Sequence, residues 1–133
     1  MPSVTHILII DNDPMIRRLF GGVLANAGFE VLYSQDGNEG REIARRMQPD
    51  LILLDIRMPD TDGYVIARRL REEPKTSHIP VIFLTNEDIS AEAEKAMKEL
   101  WVKDYMHKSI DLKEFIKRIK KVLSDSKIEE KKK

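Results

Sequence analysis

The sequence predicts an α/β fold in three layers, a parallel five-stranded sheet covered by helices on both faces. Three observations predict it. Short apolar runs at residues 7–10, 51–54 and 80–85 are too brief for helices and read as strands buried on both faces. Segments with helical apolar spacing separate them, and strands joined through helices connect by right-handed crossovers into parallel sheets. Polar residues stand where the runs stop, at Asp11, Asp55 and Thr85. In an open parallel sheet the carboxyl ends of the strands share one rim, which is where ligands bind.

In chain order, the β-branched run at 7–10 ends in Asp11-Asn12-Asp13-Pro14. Pro14 suits a first helical turn, and Met15, Ile16, Leu19, Phe20, Val23, Leu24 and Ala27 keep one apolar face until Gly28. Residues 30–34 form a weaker strand, after which Asp36-Gly37 turns the chain into a helix carrying Ile43, Ala44 and Met47, closed before Pro49. The run at 51–54 is a central strand ending on Asp55, and Pro59, Asp60, Asp62 and Gly63 then force a loop. A helix over 64–73 bears Val65, Ile66 and Leu70, with Pro74 as terminator. After the strand at 80–85, a helix over 90–101 has only a thin stripe of Ala93, Ala96, Met97 and Leu100, which predicts loose packing. Residues 102–107 hold one short strand with Lys108 at its exit. The last helix, over 110–123, is amphipathic on Leu112, Phe115, Ile116, Ile119, Val122 and Leu123. Beyond Ser124 the polarity predicts fraying, so 1–124 is read as the domain and 125–133 as a charged, disordered tail.

A chain of 133 residues and 15.4 kDa suits one domain. Lys plus Arg number 23 and Asp plus Glu 23, so the neutral balance exerts no global pull on nucleic acid or anionic lipid. From Lys108 onward ten basic residues face five acidic ones, read as a solvated tail rather than a nucleic-acid arm. No apolar run approaches the roughly 18 residues needed to cross a bilayer, and the start lacks a secretory pattern. The absence of cysteine excludes disulfide and thiol chemistry. A cytoplasmic location is expected. There is no Gly-x-Gly-x-x-Gly or Walker loop, and Gly21-Gly22 falls within the first helix, which argues against nucleotide binding. His6, His78 and His107 are scattered without metal-ligand spacing and are read as surface or loop residues.

A parallel sheet gathers Asp11, Asn12, Asp13, Asp55, Thr85 and Lys108 on one rim. Clustered carboxylates repel unless a cation or lysine accompanies them. Oxygen donors suit a hard divalent ion, and Mg²⁺ takes few protein carboxylates, completing its shell with water and phosphate oxygens. Lysine supplies a point charge for a phosphoryl oxygen and threonine a hydrogen bond. The set fits phosphoryl transfer, with a central carboxylate as acceptor forming an aspartyl phosphate. Taken alone, Asp55 is equally well read as a turn or helix cap.

Four stretches together are specific: Ile7-Leu8-Ile9-Ile10-Asp11; Leu54-Asp55-Ile56-Arg57-Met58-Pro59 with Gly63; Phe83-Leu84-Thr85; and Asp104-Tyr105 with Lys108. Through them the chain resembles the receiver domain of two-component response regulators, in its single-domain, chemotaxis-regulator-like form, over about residues 6–123. The resemblance implies a doubly wound, flavodoxin-like sheet in the order 2-1-3-4-5, with two helices on one face and three on the other. It implies that Asp55 accepts a phosphoryl group from a histidine kinase. Mg²⁺ would be held by Asp11, Asn12, Asp55 and the backbone carbonyl of Arg57, and Thr85 and Lys108 would bind the phosphoryl oxygens. Tyr105 would turn inward as Thr85 moves, remodelling the face of the fourth helix, last strand and last helix. The expected partners are a sensor histidine kinase or phosphotransfer protein, a downstream effector protein and, on phosphorylation, a second copy of the chain. Neither direct nucleic-acid contact nor membrane insertion is expected, and catalysis extends at most to the chain's own phosphorylation and dephosphorylation.

The sequence departs from the family pattern at several points. Asn12 stands where a second acid is usual, so weaker Mg²⁺ binding or compensation by Asp13 is expected. Ser109 replaces a proline that commonly follows a cis bond. A cis bond before serine costs about 3–4 kcal/mol against about 0.5–1 before proline, so energetics favour trans while the resemblance points to cis. Trp101-Val102-Lys103 replaces a small Gly-Ala-Asp run, and the ring is read as core in preference to an exposed partner anchor. Arg57 and Glu87 border the phosphate entrance, where they pair and slow water or else remain two solvated charges. Besides the phospho-switch, Asn12 and Ser109 suggest a phosphorylation-independent pseudo-receiver acting as an interaction module. A haloacid-dehalogenase-like phosphatase is disfavoured, because that family wants an aspartate where Arg57 stands.

Overall fold

The computed structural model describes the backbone of residues 4–131 and the side chains of residues 4–128. Strands and helices alternate as β1 (His6–Ile10), α1 (Pro14–Asn26), β2 (Glu30–Ser34), α2 (Gly37–Met47), β3 (Leu51–Leu54), α3 (Gly63–Glu72), β4 (Val81–Thr85), α4 (Ala91–Leu100), β5 (Asp104–His107) and α5 (Leu112–Lys131). The strands form one sheet in the order β2-β1-β3-β4-β5, every pair parallel. This is the doubly wound arrangement expected.

Side chains alternate across a strand, so the continuous apolar runs feed two separate cores. Leu8, Ile10, Ile52, Leu54, Val81 and Phe83 pack with Ala44 of α2, Ile66 and Leu70 of α3, and Leu100 of α4. Ile7, Ile9, Leu51, Leu53, Ile82 and Leu84 pack on the other side with Phe20 and Leu24 of α1 and Phe115 and Ile119 of α5. Three layers follow. The register sets Ile10 beside Leu54 and Leu54 beside Phe83, so the residues that leave β1, β3 and β4 emerge at one level.

Four helices begin on that rim with side-chain caps that satisfy exposed amides. Asp13 accepts from the Met15 amide, Asp36 from Glu39, Asp62 from Tyr64 and Ser90 from Ala93. The thin stripe of α4 buries only Ala93 and Leu100.

Two expectations are corrected. Helix α5 does not end near Ser124 but continues to Lys131, so 125–131 is helical rather than disordered; residues 132 and 133 lie outside the described residues. Once docking of Phe115 and Ile119 has offset nucleation, each further residue adds a hydrogen bond, and Lys121 pairs with Asp125 one turn on at 3.6 Å. Trp101 is not core: it is 69% exposed. It caps α4 in a left-handed conformation (φ 55°), and Leu100 and Val102 on either side occupy the core instead. Among the described residues no helix is long and apolar enough to cross a membrane.

Candidate functional site

The rim of the sheet brings Asp11, Asp55, Thr85 and Lys108 to the carboxyl ends of neighbouring strands, with Asn12 and Asp13 exposed beside them. Asp11 follows β1, Asp55 follows β3 and Thr85 ends β4, exposed by only 1%, 4% and 1%. The shared level is locked by the backbone: the Asp55 amide donates to the Ile10 carbonyl at 3.0 Å and the Lys108 amide to the Thr85 carbonyl at 2.8 Å. Gly63 matters for a steric reason. A Cβ there would come within 2.4 Å of the Asp55 carbonyl oxygen, so only glycine lets α3 start against the acidic loop.

Lys108 reaches across to both acids. Its Nζ lies 2.8 Å from Asp11 Oδ2 and 3.3 Å from Asp55 Oδ2, with all three side chains buried. Burial, followed by the neighbouring Asp11 charge, pushes the Asp55 carboxyl above the usual carboxylate range, against the pull of Lys108 and of the Arg57 amide. Burial works against the Lys108 ammonium, but the two carboxylates outweigh it and hold its pKa above the ordinary lysine value. Two buried acids thus share one base, leaving a net negative charge in a low-dielectric setting.

That imbalance tests the fit of a divalent cation. Asp11 Oδ2 is buried and receives no well-directed hydrogen bond, so its 2.8 Å approach to Lys108 is an ion pair with lone-pair capacity left over. Among the described residues no group of three or more His, Asp or Glu side chains is set to hold a metal. Asp11 and Asp55 instead offer two buried carboxylates beside one lysine, and Mg²⁺, which takes few protein carboxylates and keeps a water shell, suits so small a donor set. Asn12 is exposed beside Asp11. Asp13 is also exposed, with Oδ1 occupied in capping α1 at 2.9 Å and its amide donating to Asp11 Oδ1 at 2.9 Å. Capping thus engages one of the two Asp13 carboxylate oxygens.

Beyond these buried groups, Arg57 Nε donates to Glu87 Oε1 at 2.5 Å, joining the loops after β3 and β4. The Tyr105 hydroxyl donates to the carbonyls of Glu87 at 2.7 Å and Asp88 at 3.2 Å, and its ring meets Phe83 edge-on at 6.3 Å. Burial, with Tyr64, Glu87 and Asp88 nearby, pushes this phenol up to about 12, so it stays a donor. The Lys108-Ser109 bond is trans, since no peptide in the described chain is cis.

His107, which the sequence reads as a surface or loop residue, joins two loops. Its Nδ1 lies 3.0 Å from the Ser109 amide, and its Nε2 lies 2.8 Å from the Asn86 carbonyl. A serine two residues beyond a histidine is the only sequence signal for that contact. His6 pairs with Glu30 at 3.1 Å on the surface, and His78 is exposed, as expected.

Residues 7–120 match the family described as the response regulator receiver domain. Protein PilH of Pseudomonas aeruginosa is 34% identical over 122 residues, covering 91% of this chain and 99% of PilH. The DNA-binding dual master transcriptional regulator RpaA of Synechocystis is 37% identical over 118 residues, which is 89% of this chain. The chain spans only 48% of the length of RpaA. Of solved structures, a putative response regulator from Chloroflexus aurantiacus superposes with a TM-score of 0.84 at 30% identity, covering 92% of this chain and 99% of that one. A CheY-like receiver domain protein from Methanospirillum hungatei superposes with a TM-score of 0.88, covering 96% and 99% of the two chains; at 24% identity it speaks to the fold alone.

Proposed function

The chain belongs to the response regulator receiver family of two-component signalling, and from that premise we propose that Asp55 is its phosphoacceptor. The carrying observation is that Lys108 Nζ sits 3.3 Å from a buried Asp55 oxygen while also paired with Asp11. In the proposed step an Asp55 carboxylate oxygen attacks the phosphorus of a phosphohistidine on a sensor kinase or phosphotransfer protein. The P–N bond breaks, the imidazole leaves with its electron pair and takes up a proton, and a mixed anhydride remains on Asp55. The Lys108 ammonium and Thr85 hydroxyl meet the phosphoryl oxygens, whose charge shifts during transfer. Mg²⁺, when bound by Asp11, Asp55, Asn12 and the Arg57 carbonyl, supplies charge neutralisation of the moving group. Catalysis is confined to the chain's own phosphorylation and dephosphorylation, and the Arg57–Glu87 pair across the entrance slows attack by water.

Output then passes from Thr85 through the loop that Tyr105 holds to the surface of α4, β5 and α5. A groove of about 500 Å³ along α4, lined by Ile89, Met97, Trp101 and Val102, supports a downstream effector protein as the reader, or a second phosphorylated copy. RpaA is named as DNA-binding, but the zero net charge of this chain supplies no global pull toward nucleic acid.

The test is labelling by a small phosphoryl donor with Mg²⁺, read by intact mass. A species heavier by about 80 Da is expected in the wild type and not in Asp55→Asn. A second reading, a pseudo-receiver that works without phosphate, draws support from the exposed Asn12 and the capping duty of Asp13. Wild-type protein that takes up no label would favour it.

A further inference from the structure

We propose that His107 is a positioning residue for the phosphoryl-transfer lysine, its imidazole bridging the Asn86 carbonyl and the Ser109 amide so that Lys108 stays aimed at Asp55. The proposal rests on the reading of Asp55 as phosphoacceptor, but its geometry does not.

Lys108 lies between two residues that bond to each other. The Ser109 amide donates to His107 Nδ1 at 3.0 Å, and the Ser109 hydroxyl lies 2.8 Å from the same nitrogen. These contacts close a small ring around the Lys108 backbone and limit its rotation. An amide can only donate, so Nδ1 must be the acceptor and the ring proton sits on Nε2. The proton there is used at once, because the Asn86 carbonyl, 2.8 Å away, can only accept. Both contacts demand the same neutral tautomer.

The second contact ties the lysine loop to the loop that follows Thr85. Four successive carbonyls of that loop accept from the last strand and its exit: Thr85 from the Lys108 amide, Asn86 from His107, and Glu87 and Asp88 from the Tyr105 hydroxyl. His107 is the one link in this row that also grips the far side of Lys108, through Ser109. Any shift of Thr85 toward a phosphoryl oxygen carries Asn86 with it and so reaches the lysine loop through the imidazole as well as through Tyr105. A proline at 109 would have no amide proton to offer Nδ1, so His107 and Ser109 act as a pair.

Two readouts test this, one of them independent of phosphorylation. In ¹⁵N NMR the Lys108 ammonium should give a slowly exchanging signal in the wild type that broadens away in His107→Val and in Ser109→Pro. Labelling at Asp55 should slow about tenfold in each, the cost of a small misplacement of a reacting group. The double variant should be no slower than the worse single one, because both break the same bond. His107→Gln, which keeps one donor and one acceptor, should recover most of the rate and guards against a folding defect. An unchanged ammonium signal and labelling rate in His107→Val, or additive losses in the double variant, would overturn the proposal. If the ammonium signal responds as described but no protein takes label, the positioning role stands and the phosphoacceptor reading falls.

Discussion

Two sequestered cations sit at opposite edges of the sheet and are treated in opposite ways. Lys108, where the strands end, faces two buried carboxylates and one remaining negative charge. Arg71, on α3 near the edge where the strands begin, is surrounded by backbone carbonyls: Leu100 at 2.6 Å, Trp101 at 3.1 Å, Ile79 at 3.2 Å, and Ser77. Burial alone lowers the Arg71 pKa, yet guanidinium remains charged at any physiological pH and its fork suits several acceptors at once. It neutralises the orphan carbonyls at the end of α4, where a cation also complements the helix dipole. One cation is saturated by its surroundings and holds architecture. The other is left with an excess of anionic partners, which the proposed cation and phosphoryl group would complete.

The largest expected effect sharpens that contrast. Lys108→Ala should cut the labelling rate at Asp55 about 100- to 1,000-fold, the usual cost of removing one electrostatic contact to a reacting oxygen. A loss below threefold, measured by the same mass assay, would mean that Lys108 serves folding only, like Arg71. The next effect runs the other way. Arg71→Ala should destabilise the fold by about 2–4 kcal/mol in urea titration, by leaving helix-end carbonyls without partners, and should keep the labelling rate within about twofold. A stable variant with lost labelling would reverse the two roles.

The smallest effect is the pH dependence of stability. Asp55 is held above its ordinary pKa, so the folded protein binds that proton more tightly than the unfolded chain does. Its penalty is therefore full where both states are ionised and is relieved as the pH falls through the folded pKa toward the ordinary carboxylate range. Lys108 has the opposite sense, contributing stability that is complete below its ordinary pKa of 10.5 and lost as the pH rises through its higher folded value. At neutral pH Asp55→Asn should be more stable than the wild type by about 1 kcal/mol, since it removes a buried like charge. That difference should shrink steadily on acidification in paired thermal melts. A gap independent of pH would show that Asp55 titrates normally.

The placement of Asp11, Asp55, Thr85 and Lys108 was legible in the sequence because each stands where a strand ends, and parallel topology turns four distant chain positions into one rim. Legibility failed where the constraint was not in the local pattern. Trp101 reads as core from its size, but as the left-handed cap of α4 it is exposed. The polar stretch after Ser124 carries no apolar stripe, and its helix is propagated from a docked segment upstream. Arg71 has nothing in its neighbours along the chain that announces four carbonyl partners.

By itself the amino-acid order determined the alternation of strands and helices and the polar residues delivered to one rim of the sheet. Those follow from periodicity and covalent sequence, which act over a few residues. Tertiary structure alone decided the pairing of Lys108 with both acids, the trans lysine loop closed by His107 and the Arg57–Glu87 bridge 30 residues apart in the chain. Such contacts depend on the direction and reach of side chains from different elements, and those are set only once the layers have packed.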